Sequence, residues 1–297
     1  MLHRRTFLTA LAAAPVVLPA ASPAAEAGSA ALNSRINDLE QRSGGRLGVA
    51  VLDTRTGRRF AWRGDDRFRM CSTFKMPLAA AILRRVDQGR ERLDRRIPYG
   101  REVLMGNSPV VEKHLGQGMT VGELCDATIT WSDNAAANLL LDALGPGAGG
   151  PASLTRFLRA IGDQTTRCDR REPELNTGAP DDPRDTTTPA AILETWKTLL
   201  LGDPLSPTSR QQLTDWVVAN RTGAKRLRAG LPRGWRVGDK TGNNGKDTTN
   251  DIAIAWPRGR KPILIATFHD RGSPDDDARN AVLADVARAV VAAGFGA

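Results

Sequence analysis

Ser72-Thr73-Phe74-Lys75 heads a helical pattern that runs to Val86, and two more polar triplets follow it, Ser132-Asp133-Asn134 and Lys240-Thr241-Gly242. The three stretches sit in different kinds of sequence, and that difference lays out the fold. The first two belong to a middle region in which residues 72–86, 120–126, 133–144, 152–161, 189–201 and 208–219 read as helices. The third closes a short segment, Arg236 to Asp239. It is followed by the β-rich runs Asp251 to Trp256 and Pro262 to Phe268, which Pro257-Arg258-Gly259-Arg260 separates. The far end of the chain has a matching signal. Leu47 to Leu52 is a short apolar run, Asp53 to Gly57 a turn, and Phe60 and Trp62 alternate with polar neighbours, as in a hairpin.

A helix is predicted at each end. Leu32, Ile36 and Leu39 recur at helical spacing until Gly44-Gly45 stops them. Ser273-Pro274 with Asp275, Asp276 and Asp277 predicts an N-cap, a proline in the first turn and acids favoured by the helix dipole. Val282, Val286 and Val290 then line one face of a last helix, which Gly294 ends. The expected class is therefore α+β / α/β. Both chain ends, 28–67 and 220–297, form an antiparallel sheet with flanking helices, and 68–219 forms a central all-helical domain. Within the middle region, 168–188 is rich in Pro, Asp, Thr and Gly, and a connection that long is usually functional.

Composition narrows the function. The chain has 297 residues, 42 Lys and Arg against 33 Asp and Glu, and a net charge of +9. The bases are mostly arginines scattered among acids, and there are only seven Phe, six Trp and one Tyr. That pattern reads as a solvated surface, and no nucleic-acid partner is expected. Of three histidines, only His114 and His269 lie beyond the leader, too few for a metal site built on several histidines or for a supported Ser-His-Asp triad. No metal and no organic cofactor is expected. Residues 1–27 read as a signal peptide: Arg4-Arg5, a short apolar run from Phe7 to Leu18, then small residues with Ala25-Glu26-Ala27 as cleavage site. The run is too short to cross a membrane. Arg4-Arg5 followed by Thr6-Phe7-Leu8 resembles a twin-arginine signal, so the protein is expected to be exported to the periplasm, cell envelope or medium.

The triplets carry the chemistry. On a helix, positions i and i+3 share a face, so the Lys75 amine can sit beside the Ser72 oxygen. A serine hydroxyl becomes a useful nucleophile once a base takes its proton. At a helix start, backbone N–H groups favour developing negative charge. Each triplet alone has an ordinary structural use: Ser132-Asp133-Asn134 is good N-cap sequence, and Lys240-Thr241-Gly242 reads as a turn. All three in this order resemble a class A serine β-lactamase. Arg170-Arg171-Glu172-Pro173-Glu174-Leu175-Asn176, inside the long irregular segment, resembles the omega-loop motif of that family.

The resemblance implies a β-lactamase-like fold and hydrolysis of β-lactam antibiotics through a serine acyl-enzyme. It assigns catalysis to Ser72, Lys75, Ser132 and Glu172. It assigns substrate binding to Asn134, Asn176, Arg226, Lys240, Thr241, Gly242 and Asn243. Either Lys75 or Glu172 is the acylation base, and Glu172 is the base of deacylation, with Asn176 helping to hold the hydrolytic water. Arg170 and Asp185 resemble the ion pair that closes the loop, and a cis bond is expected at Glu172–Pro173. Arg226 takes the place of an arginine near the substrate carboxylate, since Asn243 to Asp251 contains none. The chain is expected to act as a monomer on a small-molecule substrate. Two departures stand out. The family's disulfide positions pair Cys71 with the Asn243-Asn244 region and Cys125 with Ala79, so Cys71, Cys125 and Cys168 are expected as free, mostly buried thiols. Asn107 stands where an aromatic is often found opposite the nucleophile, leaving one wall polar. A D-alanyl-D-alanine peptidase or penicillin-binding protein, and a non-enzymatic β-lactam sensor, are the alternatives.

Overall fold

Alternation along the strands decides which residues meet which layer. A computed structural model describes residues 23–297, so most of the expected signal peptide lies outside the described residues. In chain order the elements are α1 (Pro23–Ser43), β1 (Arg46–Asp53), β2 (Arg59–Trp62), β3 (Phe68–Arg69), α2 (Lys75–Asp87), β4 (Arg96–Ile97), β5 (Met119–Thr120), α3 (Val121–Thr130), α4 (Asn134–Leu144) and α5 (Gly149–Ala160). There follow β6 (Thr186–Thr187), α6 (Pro189–Leu201), α7 (Pro207–Val218), α8 (Leu227–Gly230), β7 (Arg236–Asn243), β8 (Thr249–Trp256), β9 (Ile263–Asp270) and α9 (Asp276–Ala292). Five strands form one antiparallel sheet in the order β2-β1-β9-β8-β7, so the two ends of the chain meet at the β1–β9 seam, Arg46 opposite Asp270 and Asp53 opposite Ile263.

Successive strand residues point to opposite faces. Leu47, Val49 and Val51 of β1, Ala253 and Ala255 of β8, and Ile263 and Ile265 of β9 pack with α1 and α9. Their neighbours Ala50, Leu52, Ile252, Ile254, Leu264, Ala266 and Phe268 join the core of the helical region. A sheet buried on both faces needs apolar residues at nearly every position, which is why these strands read as continuous runs.

The helical elements follow the expected order. Two details differ. The region expected to be all-helical also carries two short ribbons, β3 with β6 and β4 with β5. Asp275, not Ser273, caps the last helix: its side chain accepts the Asp277 N–H, and Pro274 falls outside the helix. Ser273 Oγ instead accepts the Asp275 N–H, so the serine shapes the turn before the cap. The 168–188 segment is irregular apart from one 3₁₀ turn and β6. The Glu172–Pro173 bond is cis, and the three cysteines are free and buried.

Candidate active site

Four elements converge on one hydroxyl. Ser72 lies in a 3₁₀ turn, Cys71–Phe74, that leads into α2, where Lys75 is the first residue. Ser132 lies between α3 and α4, with Asp133 as the N-cap of α4 and Asn134 its first residue. Glu172 comes from the irregular loop, and Lys240-Thr241-Gly242 from the second half of β7. Six non-glycine residues among those described have positive φ, and Cys71 (46°), Asn107 (60°), Ser132 (57°) and Asp185 (57°) all belong to the site or its supports. Each such backbone costs about 1–3 kcal/mol and persists only where its surroundings over-determine it.

The surroundings do so by hydrogen bonds. Asp133 Oδ2 accepts the N–H groups of Val110 and Val111, at 2.9 and 3.0 Å, while Oδ1 accepts the Ala136 N–H. The Asn134 N–H bonds Asn107 O at 2.9 Å, and Asn107 Nδ2 donates to Ser132 O at 2.8 Å. The irregular loop is closed by Arg170 Nε donating to Asp185 Oδ2 at 2.6 Å, and Asp185 Oδ1 accepts the Asp169 and Arg170 N–H groups. Asn138, one turn after Asn134 on α4, grips Glu172 at both backbone groups. Its Nδ2 donates to Glu172 O at 2.8 Å, and its Oδ1 accepts the Glu172 N–H at 3.1 Å.

At the centre, Lys75 Nζ lies 2.9 Å from Ser72 Oγ, 3.1 Å from Glu172 Oε1, 2.7 Å from Ser132 O and 3.4 Å from Ser132 Oγ, and also donates to Asn134 Oδ1. Five oxygens thus surround an ammonium that has three protons to give. Ser72 Oγ donates to Glu172 Oε1 at 3.3 Å. Lys75 and Glu172 are both sealed from solvent. Burial pulls the Lys75 amine below its ordinary value, while the Glu172 carboxylate, by charge and hydrogen bond, pulls it back up. Asn176 Nδ2 donates to Glu172 Oε2, and Asn176 Oδ1 is buried without a partner among the described residues.

On the other side, Lys240 Nζ donates to Ser132 Oγ and to Thr241 O, each at 3.0 Å. Its amine is pushed well below the ordinary range, first by burial and then by the Lys75 charge, against the pull of Asp239 and Asp251. Gly242 passes so close to the nucleophile turn that a Cβ there would stand 2.7 Å from Met70 O, so only glycine fits. Burial pushes the Cys71 thiol up to about 12, with Glu172 adding to it, so the cysteine beside the nucleophile is an inert thiol.

A cleft of about 290 Å³ opens over this centre, lined by Ser72, Asn107, Trp131, Ser132, Asn134, Asn176, Thr222, Arg226, Thr241, Gly242 and Asn243. The structure therefore brings all the sequence-derived residues together. Arg226 is more constrained than expected. It is buried, its Nε donates to Asn280 Oδ1, and its Nη1 donates to Gly242 O and Asn250 O. Asn243 ends β7 at the cleft edge, its Nδ2 bonded to Asp276 Oδ1 at 2.6 Å. Three residues at the site escaped the sequence reading: Asn138, Thr222 and Trp131. The spacing of Asn138 from Asn134, four residues on one helix, was the available signal. Thr222, whose Oγ1 lies 2.5 Å from Thr241 Oγ1, sits in a stretch with no periodicity at all.

Comparison with known proteins agrees with this geometry. The sequence profile described as the β-lactamase enzyme family matches residues 31–293. The β-lactamase L2 of Stenotrophomonas maltophilia is 47% identical over 300 residues, covering 97% of this chain and 98% of that one. The β-lactamase OXY-2 of Klebsiella oxytoca is 46% identical over 281 residues, covering 95% and 96%. Among solved structures, the class A β-lactamase of the last common ancestor of Gram-negative bacteria superposes with a TM-score of 0.86 at 68% identity, covering 89% of this chain and 99% of that one. The chain belongs to the β-lactamase enzyme family, in its class A branch. It is a hydrolase of β-lactam antibiotics, the activity by which such enzymes confer resistance.

Proposed function

We propose that the site runs a two-step hydrolysis on Ser72. The Ser72 oxygen bonds to the lactam carbonyl carbon while its proton leaves to the Lys75 amine in its neutral form, which burial favours, or to Glu172 through a water. The backbone N–H groups of Ser72 and Asn243 stabilise the charge on the carbonyl oxygen. The carbon–nitrogen bond breaks, and Ser132, hydrogen-bonded between the two lysines, passes a proton to the leaving nitrogen. Lys240, Thr241 and Arg226 hold the substrate carboxylate beside Gly242, and Asn134 binds the acylamide side chain. Glu172, with Asn176, then takes a proton from water as the water oxygen bonds to the ester carbon, and Ser72 leaves with a proton restored.

The observation that carries this reading is a single hydroxyl held by two candidate bases, 2.9 Å from Lys75 Nζ and 3.3 Å from Glu172 Oε1. The experiment is Glu172→Ala. Turnover of a chromogenic cephalosporin is expected to fall by about 10²–10⁴-fold, the usual worth of a general base. Mass spectrometry is expected to find the protein heavier by one opened substrate. Normal turnover with no adduct would remove Glu172 from the mechanism. A peptidase or a sensor would hold its acyl group in the unaltered protein.

We infer further that 28–67 with 220–297 and 68–219 act as two lobes with the cleft between them, and that the chain works as a monomer after export through the Arg4-Arg5 leader by the twin-arginine route. The composition of 1–27 supports export, and no helix among the described residues is long and apolar enough to cross a membrane. N-terminal sequencing of protein recovered outside the cytoplasm tests the cleavage, and Arg4→Lys with Arg5→Lys tests the route.

A further inference from the structure

Among the described residues only Trp131 and Leu201 are large apolar side chains well out in solvent, and Trp131, 42% exposed, lines the reaction cleft. Leaving an indole in water forgoes the favourable burial of a large apolar surface. Its fixing is elaborate for an idle surface residue. Trp131 follows the last turn of α3, with its N–H on Ala127 O at 3.2 Å. The Arg221 N–H bonds Thr130 O at 3.0 Å and so ties the 220–226 segment to the end of that helix. The Arg221 guanidinium carbon then lies 5.0 Å from the Trp131 ring centroid. That is cation–π distance, and it steadies the ring. Arg221 itself does not line the cleft, whereas Trp131 does. The cation stands over one face of the indole, and the residue stays 42% exposed beside the cleft.

Position along the cleft tells which part of a substrate would meet it. Trp131 immediately precedes Ser132, and Arg221 immediately precedes Thr222, which is bonded to Thr241. In the proposed mechanism Ser132 serves the leaving nitrogen and Thr241 the carboxylate on the ring that carries it. Asn134 serves the acyl side chain, and Asn176 stays with Glu172. The Trp131–Arg221 pair thus stands at the leaving-group edge, while the position that often carries an aromatic in related enzymes holds the polar Asn107.

Resting on that mechanism, we propose that Trp131 is a specificity-determining contact, a stacking platform for a planar aromatic substituent on the leaving-group ring, with Arg221 holding the indole in place. The substrate class it favours is β-lactams carrying a heteroaryl group on that ring over those carrying a small alkyl group. Aromatic stacking of this kind is worth roughly a two- to twelvefold preference.

The test uses the mature enzyme and two cephalosporins with one acyl side chain, one bearing a methyl and the other a heteroaryl thioether at the ring substituent. The readout is the ratio of kcat/KM, heteroaryl over methyl. Trp131→Ala is expected to lower the ratio roughly three- to tenfold, mainly through KM of the heteroaryl substrate, while Trp131→Phe keeps it within about twofold. Arg221→Ala is expected to lower it by less than Trp131→Ala. Thermal melting checks that each variant folds, and Trp131→Leu replaces Trp131→Ala if that one does not. A ratio unmoved by Trp131→Ala or Trp131→Leu overturns the platform, as does an equal loss in Trp131→Phe. Ser72→Ala runs alongside. If it still hydrolyses both substrates at the unaltered rate, the assignment of the site is wrong; if it is inert while Trp131→Ala leaves the ratio unchanged, only the platform is wrong.

Discussion

Lys75 and Lys240 stand on either side of the Ser132 hydroxyl, with Nζ atoms 3.4 and 3.0 Å from its Oγ. Both are fully buried. Lys75 has a carboxylate against it, Glu172 at 3.1 Å, whereas no ion pair of Lys240 is found within 4.0 Å among the described residues. The same side chain at the same burial therefore meets opposite second influences: Glu172 restores charge to Lys75, and Lys75 drives charge from Lys240. The pair shows that burial alone does not set a proton's address. Burial lowers both amines, and the neighbouring charge sets them apart, Glu172 for Lys75 and Lys75 for Lys240.

The contrast can be broken most forcefully by replacing each lysine with methionine. Lys75→Met is expected to cut the acylation rate by about 10²–10⁴-fold, as loss of a general base does. It also strands Glu172 in the interior, and removing one partner of a buried pair costs about 3–5 kcal/mol of stability. Lys240→Met should go the other way in stability. It removes a buried cation with no close counter-charge, and melting is expected to rise by roughly 3–10 °C, even as kcat/KM falls about 10–100-fold for loss of a charged hydrogen bond. Equal melting shifts in the two variants would refute the contrast. The pH dependence follows with a definite sign. Between the lowered pKa of Lys240 and the ordinary 10.5, the unfolded chain holds a proton that the folded chain has released, so stability rises with pH across that window. Lys240→Met should flatten that rise in a series of melting curves.

A subtler change sharpens the base assignment. Glu172 raises the pKa of Lys75, so Glu172→Gln should move the rising limb of acylation toward lower pH if Lys75 takes the Ser72 proton. Stopped-flow acylation measured across pH reads this directly, and an unmoved limb would exclude Lys75 as that base. The smallest effect is expected at Asn138→Ala, which frees both backbone groups of Glu172 from α4. Deacylation should slow by roughly tenfold, about the worth of one or two buried hydrogen bonds, with acylation less affected. Rates of the two steps from single-turnover data separate them.

Much of this was legible in the chain itself, for physical reasons. Ser72 and Lys75 are one helical turn apart, so their meeting is a local matter. The strands buried on both faces announce themselves as unbroken apolar runs. Glu172 was found because its loop lacks any periodicity and matches a family pattern. What escaped depends on contacts made in space. Thr222 reaches the site only because β7 brings Thr241 beside it. Trp131 lies beyond 120–126, where the sequence places the helix that the structure carries on to Thr130, and nothing marks it until Arg221, from a distant segment, is laid across it. The shift of the last helix cap from Ser273 to Asp275 shows a limit of another kind, since several neighbouring residues could cap equally well and only backbone geometry chooses among them.

The β1–β9 seam has a consequence for how the molecule comes into being. β9 is the middle strand of the sheet, yet it is made after the other four strands and after every described helix except α9. During synthesis β1 and β2 must wait, a lone hairpin with its β1 edge bare, until residues 263–270 arrive to pair with it. A message cut short anywhere upstream of Ile263 would forfeit the centre of the sheet instead of trimming its margin, leaving a sticky polypeptide in place of a slightly shorter enzyme.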